Sequence, residues 1–331
     1  MLACPWPGRK DRTVSKLNRR EFIGAAFAAT GVCVVGGVAV KNGLKASMGL
    51  ETTPAITIDR SIKNPTDRVQ LGRSGIKVSV VGIGTGSIGY AGHSNQTRLG
   101  QETFTRLMRH ALDQGINFFD LADSYGSHAP FKAAMKGVPR EQYVIQTKTD
   151  SRDTQEVRAD IDRFLHELET DYIDSLIIHC VTIADWPTRY RAVMDVFTDA
   201  KRRGKVRACG VTCHSFAALE AAAATDWVEI NQVRWNPRAS HMDADVETAR
   251  ALFRKMRGRG QGMIGMKVVG QGDIVNGSRA LSPEDCFRFQ IESGAVDAFV
   301  VGVENIEQIN QLLRGTRVAL NELGYRIVTA A

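Results

Sequence analysis

Phe118-Phe119-Asp120-Leu121-Ala122-Asp123-Ser124-Tyr125-Gly126 is the stretch that decides the fold. Two apolar aromatics run into an aspartate, which reads as the end of a buried strand. The tyrosine beside a glycine five residues later reads as the loop that follows. Two downstream runs end in the same way: Tyr143-Val144-Ile145-Gln146-Thr147 reaches Lys148, and Asp174-Ser175-Leu176-Ile177-Ile178 reaches His179. Asp, Tyr, Lys and His thus arrive at the carboxyl ends of three successive strands. In a parallel α/β barrel that is the end where catalytic side chains collect.

Further apolar strand runs extend the pattern to eight, near 79–83, 117–120, 143–148, 174–179, 206–211, 228–232, 262–267 and 297–301, with amphipathic stretches between them. Thr154 to Leu168 is one such helix, with Val157, Ile161, Phe164, Leu165 and Leu168 at helical spacing. Eight alternations predict an α/β fold of the (β/α)8 TIM-barrel type rather than an open sheet. No GxGxxG stands at a strand-to-helix turn, which argues against a Rossmann fold. Residues 68–79 read as two short strands around a glycine-containing turn. The helix after the second strand is short, Ala129 to Lys136, and the tail 315–331 is suited to a last helix.

The spacing of Asp120 and Tyr125, the strand-end Lys148, and His179 after an aspartate-led apolar strand resemble the tetrad of the aldo-keto reductase family. The resemblance covers about residues 68–314. It implies a barrel closed at the bottom by the N-terminal hairpin, with NADP or NAD as cofactor and a small carbonyl or alcohol as substrate. Carbonyl reduction needs a hydride on carbon and a proton on oxygen. The resemblance makes Tyr125 the general acid/base and Lys148 its activator, since a nearby ammonium favours the phenolate of a group whose ordinary pKa is ~10. Asp120 would hold Lys148 charged and aimed, and His179 would donate to the substrate oxygen. Taken singly, each residue also reads as a cap, a loop anchor, a solvated charge or a core histidine. Their joint arrival at adjacent strand ends favours the tetrad.

The cofactor residues implied by the resemblance are Gly84 and Thr85 after the first strand, Thr212 and Cys213 after the fifth, and Asn231 and Gln232 at the sixth. Met266 and Lys267 follow the seventh, and Gly302, Glu304, Gln308 and Gln311 the eighth. Cys213 stands where asparagine is common. Gly302 and Gln308 stand where a Lys or Arg usually grips a 2′-phosphate. Tyr90, His93 and Trp186 lie in loops at the same end and are candidates for lining a substrate pocket.

Of 331 residues, 43% are hydrophobic and 24% charged, which suits a globular core without staples. The net charge is +7, but residues 1–66 hold ten Lys/Arg against four Asp/Glu, so the barrel is nearly neutral. This excludes the basic face of a nucleic-acid binder. Six cysteines include no CxxC, so neither a zinc ribbon nor an iron–sulfur cluster is expected, and no metal is assigned. Asn18-Arg19-Arg20-Glu21-Phe22-Ile23, followed by a charge-free run over 22–40, resembles a twin-arginine export signal. Residues 1–49 are accordingly read as signal or membrane tether, 50–67 as linker and 68–331 as barrel. The expected location is periplasmic or membrane-tethered through the twin-arginine machinery, with the cytoplasm as the alternative. The alternative function is a nucleotide-binding regulatory barrel, like the family's channel-associated members.

Overall fold

A computed structural model describes residues 61–329. The proposed signal 1–49 and the linker up to residue 60 lie outside the described residues. A two-stranded antiparallel hairpin comes first, β1 (Arg68–Gln70) with β2 (Lys77–Ser79), in the register Arg68 to Ser79. Eight parallel strands then close on themselves: β3 (Val81–Gly84), β4 (Phe118–Asp120), β5 (Val144–Thr149), β6 (Ile173–Val181), β7 (Val206–Cys213), β8 (Ile230–Arg234), β9 (Gly262–Met266) and β10 (Ala298–Gly302). They pair in chain order, and β10 returns to β3. The expected (β/α)8 barrel is the fold.

Helices fill every crossover: α1 (Asn95–Arg98) and α2 (Gln101–Asp113), α3 (His128–Ala134), α4 (Thr154–Leu168), α5 (Trp186–Arg189) and α6 (Arg191–Arg202), α7 (Phe216–Ala224), α8 (Val246–Gly258) and α9 (Pro283–Ser293). The final helix, α10 (Ile306–Thr329), starts earlier than the tail suggested and runs through it unbroken. The local causes are ordinary. The Asp153 carboxylate caps α4 by accepting from the Gln155 and Glu156 amides, and Val157, Ile161, Phe164 and Leu168 form its buried stripe. Among the described residues no helix is long and apolar enough to cross a membrane.

Strand alternation sorts the core into two shells. Outward-facing residues such as Ile83, Phe119, Ile145, Leu176, Val211 and Val233 pack under the helices. Inward-facing Phe118, Val144, Ala208, Ile230, Ile264, Ala298 and Val300 fill the barrel bottom together with Leu71, Ile76 and Val78 of the hairpin. The hairpin is thus a plug. Residues 61–67, read as the end of a linker, are docked beside it. Val81 N–H donates to Pro65 O at 3.1 Å and Val80 N–H to Asp67 O at 3.2 Å.

Asp174, which opens β6, anchors the bottom rim. It is 1% exposed and accepts from Arg140 and Arg207, each at 2.6 Å, and from the Ile145 amide at 2.9 Å. Removing one partner of a buried ionic cluster leaves the others uncompensated. Asp174→Ala is expected to lower unfolding free energy by about 3 kcal/mol, read from the urea midpoint at unchanged slope. A loss under about 0.5 kcal/mol would mean that the cluster is not a structural anchor.

Candidate active site

Above the apolar plug the inward positions turn polar. Asp120 ends β4, Gln146 and Lys148 lie on β5, Ser175 and His179 on β6, and Gln232 on β8. Lys148 is 0% exposed and Asp120 4%. Lys148 Nζ donates to Asp120 Oδ1 at 2.5 Å and to Leu121 O at 2.7 Å. The same carboxylate accepts from Gln146 at 2.9 Å on Oδ1 and from Gln232 at 2.8 Å on Oδ2. Ser175 in turn donates to Gln146 Oε1 at 3.1 Å.

Tyr125 ends a short 3-10 turn, Asp123–Tyr125, directly after β4. Its ring lies beneath the backbone of the loop after β3. A Cβ on Gly86 would fall 2.2 Å from the ring, so no side chain fits there. Lys148 Nζ is 4.9 Å from the ring centroid. The phenol oxygen faces His179 Nε2 at 3.4 Å, with the rings edge to face at 84°. The four tetrad residues are therefore brought together. Their electrostatics depart from the expectation that Lys148 draws Tyr125 towards phenolate. Burial, and next the negative charge of Asp120, hold the phenol well above its ordinary range. The Lys148 charge is spent on Asp120, and burial lowers its own pKa against that pairing.

His179 has a partner the sequence reading missed. Its Nδ1 lies 2.9 Å from Asp150 Oδ1 and 3.4 Å from Ser124 Oγ. Burial disfavours the imidazolium, but the Asp150 hydrogen bond and charge, with Cys180 beside it, outweigh burial and raise the pKa to about 9. Asp150 itself is pushed up by burial and pulled lower overall by His179. β6 is irregular between Ile178 and Val181, and Cys180 there has φ 53°. Such a bulge re-aims side chains. Cys180 Sγ lies 3.8 Å from His214 Nε2, just past β7. Period-2 counting would have found two of these residues: Asp150 follows Lys148 by two positions on one strand face, and His214 follows Thr212.

A cleft of ≈ 420 Å³ adjoins Asp120 and Tyr125. Its walls include Gly84, Met266, Lys267, Gly302, Glu304 and Gln308, six of the residues assigned to the cofactor. A Cβ on Gly302 would fall 2.0 Å from Ser87 Oγ, so the bare backbone there forms a cradle. Thr212 and Gln232 face inward, and Thr212 Oγ1 and Gln232 Oε1 are buried without a partner. An unmatched hydroxyl and an unmatched amide acceptor suit a ligand carrying a carboxamide. These observations fit a nicotinamide dinucleotide.

Four assigned cofactor residues do not fit. Cys213 and Asn231 are the neighbours of Thr212 and Gln232, and strand alternation turns them outward. Cys213 is 0% exposed in the shell under the helices, and Asn231 donates its amide to Gln261 at 2.7 Å while its Oδ1 is buried without a partner on that outer side. Thr85 is 0% exposed and donates its hydroxyl to Asp120 O at 2.9 Å, which ties the loop down rather than opening to the cleft. Gln311 donates to Glu284 on α9 at 2.9 Å. Of the pocket aromatics, Trp186 is 0% exposed in the core and donates to Ala218 O, while Tyr90 stands 73% exposed.

Comparison with known proteins agrees with this geometry. The sequence profile described as "Aldo/keto reductase family" matches residues 80–285. The chain is 31% identical over 153 residues to L-galactose dehydrogenase of Arabidopsis thaliana, covering 43% of this chain and 47% of that one. It is 28% identical over 247 residues to 6-dehydroglucose reductase of Novosphingobium aromaticivorans, covering 69% and 75%. It spans about half the length of L-galactose dehydrogenase and of the Bacillus subtilis aldo-keto reductase YhdN, 47% and 55% respectively. The fold superposes on the holo aldo-keto reductase of Bacillus halodurans with TM-score 0.59 at 19% identity, covering 78% and 96% of the two chains. The Bombyx mori enzyme in complex with NADP gives 0.58 at 17%, covering 78% and 93%. With its profile matched from the first barrel strand into α9 and its barrel closed in the same way, the chain belongs to the aldo/keto reductase family.

Proposed function

We propose that the protein interconverts a small aldehyde or ketone and its alcohol, with NADPH or NADH, using Tyr125 as proton donor. The observation that carries this reading is the convergence of Asp120, Tyr125, Lys148 and His179 beside a cleft fit for a dinucleotide. When bound, a reduced nicotinamide would supply the hydride. Tyr125 keeps its proton at neutral pH because burial and Asp120 oppose the phenolate, so it can release that proton once negative charge develops on the substrate oxygen. His179 orients that oxygen. Thr212, Gln232 and Met266 would hold the nicotinamide half, and Gly302, Glu304 and Gln308 the adenosine half.

The regulatory-barrel alternative needs no proton donor, so one substitution separates the two. Tyr125→Phe is expected to lower carbonyl turnover ~10²–10⁴-fold while leaving cofactor affinity within about twofold. The measurement is NADPH absorbance across a carbonyl panel plus fluorescence titration of the cofactor. Retained turnover refutes the assignment.

Cofactor preference follows from the cleft wall. Lys267 is the one cation lining it among the described residues, and burial, then Arg234, lowers its pKa to about 8. Glu304 accepts from Asn95 at 2.8 Å, and the Gln308 side chain occupies the Glu304 amide at 2.6 Å. An acidic residue suits a 2′-hydroxyl and repels a 2′-phosphate. Dissociation constants for NADPH and NADH should differ by less than ~30-fold, about 2 kcal/mol. A hundredfold preference for NADPH in a fluorescence titration would reveal a phosphate grip elsewhere.

Location rests on residues outside the described ones. We read the paired arginines and the run 22–40 as directing export to the periplasm or its membrane face. Arg19→Lys with Arg20→Lys should leave the full chain in the cytoplasm on cell fractionation. An unchanged distribution would refute the signal.

A further inference from the structure

His179 can donate to a substrate oxygen only from a nitrogen that carries a proton. Its Nδ1 faces Asp150 Oδ1 at 2.9 Å. A carboxylate accepts and cannot donate, so Nδ1 must be the protonated nitrogen of that contact. In a neutral imidazole this would be the ring's one proton. Nε2, which faces Tyr125 at 3.4 Å, would then be a bare acceptor pulling on the very hydroxyl that must donate elsewhere.

We propose that Asp150 is a positioning residue of the active site, one that keeps His179 an imidazolium so that Nε2–H is a donor aimed at the oxygen Tyr125 protonates. This rests on the reductase reading above and extends it to the charge of the site. The proton delivered in reduction comes from Tyr125. His179 keeps both of its own and stabilises the developing alkoxide and the phenolate left behind.

The surroundings of the ring support the assignment. From the turn after β4 come Ser124 and Tyr125, both neutral donors or acceptors. From the segment after β5 come Asp150 and Arg152, whose guanidinium donates to the His179 carbonyl rather than to the ring. Cys180, its neighbour on β6, also raises the ring's pKa, after the Asp150 hydrogen bond. His214, from the end of β7, has its ring centroid 6.4 Å away and is pushed down to about 3 by burial and then by Arg234, so it adds no charge. Lys148 is engaged by Asp120. Asp150 is therefore the carboxylate paired with the ring. Its side chain is 46% exposed while the imidazole is 9% exposed, so the carboxylate stays hydrated and the cation is shielded. The raised His179 pKa, about 9, agrees with the geometry. The sign follows: the imidazolium is present below that value and lost as pH rises through it, so reduction should fall on the alkaline side. Tyr125 lies too high to cause that limb.

The test is ¹³Cε1-histidine NMR of the full chain over pH, with His179→Gln assigning one signal among seven histidines. The expected His179 midpoint is near 9. Asp150→Asn keeps an oxygen that can accept from Nδ1 but removes the charge. It should lower the midpoint by at least about one unit, a tenfold change, and Asp150→Glu should restore it. A wild-type midpoint at or below the ordinary histidine value of ~6.5, or one unmoved by Asp150→Asn, overturns the proposal. The wild-type titration alone can do so, whatever the variants' stability. The kinetic arm uses NADPH with 4-nitrobenzaldehyde as probe. The alkaline limb of kcat/KM should move down with the NMR midpoint while cofactor affinity stays unchanged. A limb fixed in place would overturn the catalytic part. Absence of turnover in the wild type with every carbonyl probe would sink the reductase reading instead, and the NMR midpoint would still decide the Asp150–His179 pair.

Discussion

An ammonium with no exposed surface, Lys148, sits in the barrel interior, and the arrangement of the mouth follows from the need to compensate it. A buried charge survives only when paired and hydrogen-bonded. Asp120 supplies the counter-charge at 2.5 Å, and Leu121 O accepts a second proton of the same ammonium at 2.7 Å. The carboxylate then needs its own donors, which Gln146 and Gln232 provide from opposite sides of the barrel. Side chains on β4, β5 and β8 are thereby locked into one network. Any one of them made apolar would strand a buried polar atom of another. This network is the floor on which Tyr125 and the cleft stand.

The same floor explains why the phenol is not drawn towards phenolate. Burial is the first cause that holds the phenol up, and the negative charge of Asp120 adds to it. For reduction this is the useful state, since a proton donor must hold its proton until the acceptor oxygen becomes basic. The site then carries two cation–carboxylate pairs of different kind. Lys148–Asp120 is closed off and fixes geometry. His179–Asp150 is open to water on its acidic side and can respond to pH.

The fold was legible because eight strand runs kept their spacing, and each observed strand lies within a few residues of its expected place. The tetrad was legible because its members stand at the ends of those runs. The misplacement of Cys213 and Asn231 has one physical origin. Position along the chain locates a strand end, but alternation decides which of two neighbours faces the cleft. Thr212 and Gln232 turn inward while Cys213 and Asn231 turn out. The resemblance supplied positions without faces. Asp150 lies past the strand end, and only carrying the inward face of Gln146 and Lys148 one step further would have found it. Cys180 could not have been found by counting at all, since the bulge that re-aims it is a backbone feature, φ 53°, on a residue other than glycine.

The mouth divides into two halves with different tolerances. The proposed catalytic side chains come from β4, β5, β6 and the turn after β4, where Asp120 and Lys148 answer to buried partners and little can change. The cleft wall comes from β3, β9 and β10, where bare backbone at Gly84 and Gly302 does the shaping. At the start of α10 the chain satisfies itself: Gln308 takes the Glu304 amide and Asn305 takes the Gln308 amide. Amides so occupied are less free to grip an anion than an open helix terminus would be. On the proposed reading, recognition at that end would rest on shape and on Glu304 rather than on a concentrated positive field. On that reading, changing one or two side chains there would alter which dinucleotide is preferred without disturbing the Lys148–Asp120 floor, since among the described residues no side-chain hydrogen bond joins Glu304 or Gln308 to Lys148 or Asp120.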